Sequence, residues 1–116
     1  MDYFNMDPNE LRHPPEDIRI SSLQVEPYPD GRKIHVLLQL TPFQKPPCIE
    51  LTLLDPSGEE IGTASIIEPS RWKQEITMHI RNSDTIGEFS LSASLFYPDK
   101  EVQDIQSIKF KILKAP

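Results

Sequence analysis

The sequence predicts an all-β domain, an antiparallel two-sheet sandwich of about seven short strands. Three observations predict it. From Asp17 onward apolar and polar residues alternate with a period of two, the pattern of strands with one buried face. Turn signals such as "YPDG" (28–31), "DPSG" (55–58) and "YPDK" (97–100) punctuate the alternation at regular spacing. Twelve prolines stand against four glycines, a balance that suits strand ends and ordered loops and disfavours long helices.

Residues 1–16 show no period, and Pro8, Pro14 and Pro15 interrupt any helix. Asp7 followed by Pro8 can open one short turn. The segment reads as a flexible N-terminal tail whose Tyr3, Phe4 and Met6 are available to dock on the body. The domain proper spans 17–116. In "DIRISSLQVEP" the apolar residues are Ile18, Ile20, Leu23 and Val25, and the slip in phase after Ile20 predicts a bulge or a change of sheet. "KIHVLLQLTP" turns Ile34, Val36, Leu38 and Leu40 inward. After the stiff loop "FQKPPC", the strand "CIELTLLDP" turns Ile49, Leu51 and Leu53 inward. "EIGTASIIEP" predicts a shorter fourth strand, weakened by Gly62 and placed near an edge. "KQEITMHIR" turns Ile76, Met78 and Ile80 inward, and "NSDTIG" forms a corner. In "GEFSLSASLFYPD", Phe89, Leu91, Ala93 and Leu95 share the inner phase, while Ser90, Ser92, Ser94 and Phe96 share the outer one. "IQSIKFKIL" closes the fold with Ile108, Phe110 and Ile112 inward.

This order of strands over 17–114 resembles immunoglobulin-like and fibronectin-type-III-like domains. "IGEFSLSASL" looks like their corner leading into the sixth strand, with Phe89 where those families often place a corner tyrosine. The Cys–Trp–Cys pattern of antibody domains is absent. The resemblance implies an architecture and no activity. It also implies that the second and fifth strands are antiparallel neighbours and that the sixth lies between the third and seventh.

Composition narrows the function. The 116 residues suit one domain, and 12 basic against 18 acidic residues give a net charge of −6. Nucleic acid and anionic membranes, which call for basic patches, are not expected partners. Cys48 is the only cysteine, so no intrachain disulfide forms. No apolar leader and no apolar run of about 20 residues is present, which points to a cytoplasmic protein. No cofactor motif is present: the sequence lacks a P-loop, G-x-G-x-x-G and H-E-x-x-H.

Few residues offer chemistry. His35 and His79 fall in outward phases of neighbouring strands; if Ile34 faces Ile80, the imidazoles face each other about 5 Å apart and could begin a metal site. Solvent-facing histidines are the plainer reading, so no metal is expected. Cys48 has only Lys45 nearby to activate it and reads as a small packed residue. The serines of the sixth strand lie outside any nucleophile elbow. Asp55, Glu59, Glu60 and Asp84 lie in turns without an ordered calcium spacing. Trp72 reads as a plug for an open end of the sandwich, although an aromatic there also suits a sugar.

The remaining candidate is a surface. The outer faces of the third, sixth and seventh strands bring together Leu54, Ser90, Ser92, Ser94, Phe96 and Lys109, a flat hydroxyl field with an apolar fringe. Short side chains let another backbone approach at little entropic cost. Free edges of the fourth or seventh strand offer a second route to pairing. The sequence therefore points to a non-enzymatic protein-interaction module, with another protein or a second copy of itself as partner. The alternative is a small-ligand module, for carbohydrate or metal, built on loops at one end of the sandwich.

Overall fold

The computed structural model describes residues 12–80 and 86–113. Seven strands carry the fold: β1 (Ile20–Pro27), β2 (Lys33–Leu40), β3 (Cys48–Leu54), β4 (Glu60–Ile67), β5 (Lys73–His79), β6 (Gly87–Phe96) and β7 (Asp104–Ile112). The only helical segment among the described residues is one 3-10 turn, Pro15–Asp17, started by proline where a missing N–H costs nothing. Among the described residues no helix is long and apolar enough to cross a membrane.

The strands form two antiparallel sheets, ordered β1-β2-β5 and β4-β3-β6-β7. β2 and β5 are neighbours, and β6 lies between β3 and β7, as the resemblance implies. The fourth strand pairs with β3 rather than β5, and at eight residues it is as long as β1 and β2. The slip in phase after Ile20 is a register shift between Ile20 and Ser22.

Alternation along each strand explains the core. Ile34, Val36, Leu38 and Leu40 from β2 meet Ile49, Leu51 and Leu53 from β3 and Phe89, Leu91, Ala93 and Leu95 from β6. Each of these is nearly or fully buried. Such a side chain contributes roughly 1.5–3 kcal/mol when it leaves water. Phe89 stacks on Phe110 with ring centroids 5.7 Å apart. It is thus a core residue rather than a hydrogen-bonding corner.

The two flanks of the sandwich differ. On one, β1 lies against β7. The Ile20 amide donates to Asp104 at 2.8 Å, and the Gln106 amide nitrogen donates to the Ile20 carbonyl at 3.4 Å. The start of β7 is therefore covered and gives no free edge for strand addition. On the other flank, β4 and β5 barely touch, and β4 is the exposed edge of its sheet.

The chain before β1 is also fastened to the body. His13 forms a parallel bridge with Phe43. The His13 amide donates to Pro42, and the Gln44 amide donates to His13. Gln103 donates to the carbonyls of Pro15 and Ile18 at 2.6 and 2.8 Å. The part of the expected tail from His13 to Glu16 is thus held by hydrogen bonds. Tyr3, Phe4, Met6 and Asp7 lie outside the described residues.

Candidate functional site

Cross-strand register orders the outer face of the β4-β3-β6-β7 sheet into rows. One row reads Glu60, Leu54, Ser90, Lys109; the next Thr63, Thr52, Ser92, Ser107; the next Ser65, Glu50, Ser94, Ile105. A last row reads Ile67, Cys48, Phe96. The expected residues Leu54, Ser90, Ser92, Ser94, Phe96 and Lys109 therefore share one face. Its hydroxyls bond along the rows: Ser65 donates to Glu50 at 2.8 Å, and Ser92 and Ser107 lie 3.2 Å apart.

Two features of this face escaped sequence reading. Ile67 is 74% exposed and Ile105 60% exposed, so the apolar fringe extends beyond Leu54 and Phe96. Charge is also sorted along the Glu60 row: Glu60 stands on β4 and Lys109 on β7, with Glu50 on β3, while Lys111 of β7 stands opposite Glu88 of β6. Cys48 is outward in phase yet only 6% exposed, flanked across the ladder by Ile67 and Phe96.

The histidine pair does not form. Ile34 lies opposite Met78 rather than Ile80, which places His35 opposite Thr77 and His79 opposite Lys33. A shift of two residues preserves every inward side chain, so the alternation could not reveal it. His35 instead lies between two carboxylates, with Nε2 3.2 Å from Glu75 and Nδ1 3.8 Å from Glu26. Among the described residues no three of His, Cys, Asp and Glu are grouped to hold a metal.

The acidic turn is occupied by its own backbone. One Asp55 oxygen accepts bonds from the Ser57 amide and hydroxyl and from the Glu59 amide, at 2.7–2.9 Å. These bonds hold the Asp55 carboxyl below the usual carboxylate range, the Ser57 hydroxyl foremost. Asp84 lies outside the described residues.

Trp72 sits where the β4–β5 and β2–β3 loops meet. Its carbonyl accepts from the Leu40 amide at 2.7 Å. Phe43 meets its ring at 88° with centroids 6.0 Å apart, and the Arg12 guanidinium lies 5.8 Å above it. The half-buried indole thus plugs the end of the core, as expected, and also walls a cleft of about 640 Å3 lined by Arg12, Ser70, Arg71, Trp72, Lys73 and Glu75. At the same end Tyr97, an aromatic that the sequence offers beside Trp72 for stacking on a sugar, is buried instead and donates its hydroxyl to the Lys45 carbonyl at 2.7 Å. The hydroxyl is pushed above its usual pKa by desolvation.

No family model and no curated protein matches the chain. Solved structures do. A Bifidobacterium dentium β-glucuronidase complexed with coumarin-3-O-glucuronide matches with a TM-score of 0.66 at 13% identity, over 83% of this chain and 18% of that one. A family 76 glycoside hydrolase from a bovine Bacteroides thetaiotaomicron strain matches with a TM-score of 0.64 at 15% identity, over 82% of this chain and 20% of that one. A putative β-galactosidase from Bacteroides fragilis gives 0.62 at 15% identity, over 82% and 17%. At such identities the likeness is one of fold. The chain spans about a fifth of the length of each of these enzymes.

Proposed function

We propose that the chain is a non-enzymatic docking module that pairs with a second copy of itself through the outer face of the β4-β3-β6-β7 sheet. The observation that carries this reading is the sorting of charge across that face. Consider a two-fold axis parallel to the strands, between β3 and β6, with two such faces packed together. Each row then meets its own row reversed. Glu60 comes over the second copy's Lys109, and Lys109 over its Glu60. Leu54 meets Ser90, Thr52 meets Ser92, and Cys48 meets Phe96. The short hydroxyl side chains permit close approach, and the exposed Ile105, which comes over the second copy's Ser65, loses contact with water.

Light scattering across a concentration series tests the reading. The expected result is a species of twice the 13.3 kDa chain at high concentration, dissociating on dilution. Ser92→Arg, at the centre of the face, should leave a folded monomer. A monomer at every concentration contradicts the proposal.

One observation favours a second reading, a small-ligand site at the sandwich end: the cleft around Trp72 combines an aromatic wall with charged groups. It is in keeping with a fold also found in carbohydrate-active enzyme chains. A shift of Trp72 fluorescence on sugar addition is its simplest test.

A further inference from the structure

We infer that the cleft beside Trp72 takes a sugar bearing a carboxylate, a uronic acid, rather than a neutral one. The inference rests on the second reading above and gives it a ligand class. Three of the six lining residues are cations, Arg12, Arg71 and Lys73, in a chain with 18 acidic and 12 basic residues. A local excess of positive charge against the net charge of the molecule marks an anion as the ligand.

The guanidinium groups suit a carboxylate better than a diffuse charge would. Arg12 places its guanidinium carbon 5.8 Å from the centroid of the indole, and a guanidinium beside an aromatic wall offers paired N–H donors to a planar, two-oxygen acceptor. Arg71 stands at the bend before β5, and its carbonyl accepts from the Gln74 side chain at 2.9 Å, which fixes that bend. Glu75 is the one acid in the lining. Its carboxylate is 3.2 Å from His35, on the side away from the arginines along the sheet. It can accept hydroxyl protons from a sugar ring, as can Ser70. A simple carboxylate has no use for these acceptors, whereas a ring with several hydroxyls does. The cleft volume falls within the ordinary range for small-ligand pockets, about 300–1,000 Å3.

Trp72 is the only tryptophan, so fluorescence excited where indole absorbs and the three tyrosines do not reports this cleft alone. The test titrates the whole chain with glucuronate, glucose and acetate, and repeats the glucuronate titration with Arg71→Gln and with Arg32→Gln. The expected result is a saturable shift with glucuronate that weakens as salt rises. Glucose and acetate should bind about tenfold or more weakly, the difference that loss of a paired charge or of several hydroxyl bonds brings. Arg71→Gln should weaken glucuronate by a similar factor, and Arg32→Gln, an exposed arginine before β2 at the opposite end of the sandwich, should leave it unchanged. Equal response to glucose and glucuronate leaves a sugar site standing and overturns the carboxylate inference. Equal response to acetate overturns the sugar part. No response to any of the three overturns the ligand reading itself. Arg71 is exposed, so its substitution leaves the fold intact, and an unchanged melting temperature checks this.

Discussion

Tyr97 fastens the end of the sandwich that carries the cleft. Its ring is 4% exposed, and its hydroxyl donates to a carbonyl 52 residues away. Tyr97→Phe removes a half-buried hydrogen bond and strands the Lys45 carbonyl, at a cost of about 0.5–1.5 kcal/mol in urea melts. Because burial raises the phenol above its unfolded value, the folded state favours the protonated form. That contribution is present below pH 10 and is lost as pH rises through the folded-state value. A Tyr97→Phe variant should therefore lose less stability than wild type between neutral and strongly alkaline pH. Asp55 behaves oppositely. Its pKa is lowered, so its contribution is present above the ordinary unfolded-state value of 3.8 and fades as pH falls through the lowered folded value. Replacing Asp55 by Asn should flatten the acid limb of the stability profile. The Asp55 turn was legible as "DPSG", because its partners are two and four residues away. The partner of Tyr97 was not, because nothing local links residues 97 and 45.

Strand periodicity was legible in nearly every element, since burying one face imposes a period of two. Ile49, Leu51 and Leu53 on β3 and Phe89, Leu91, Ala93 and Leu95 on β6 point inward as the alternation requires. Leu91, fully buried on the central strand of its sheet, gives the sharpest test: Leu91→Ala should cost about 2–5 kcal/mol in chemical denaturation. A cost near zero would mean that β6 does not face the core. Register was not legible, because sliding a strand by two residues leaves the same side chains inward. For that reason the His35–His79 pair was expected and does not form. The partner of β4 was equally hidden, since an edge strand with Gly62 at its centre fits either sheet.

At the scale of the whole molecule, the two flanks decide which surfaces are free. β1 covers the start of β7 through Asp104 and Gln106, while β4 stays open. The hydroxyl face was legible from the outward phases of three strands. Its charge gradient was not, because it depends on Glu60 and Lys109 standing in one row, which only the pairing of four strands creates. The same row makes the two-fold arrangement specific. A charge reversal on one side should place like charges opposite each other and weaken pairing by about 1 kcal/mol or more per contact, and reversing both should restore it.

Sedimentation of Lys109→Glu, Glu60→Lys and the doubly substituted chain against wild type measures this most directly. Two-fold docking of the hydroxyl faces predicts that each single variant dissociates at lower dilution than wild type and that the double variant recovers the wild-type dimer. Single and double variants that sediment alike, or a wild type that never exceeds one chain, would contradict it.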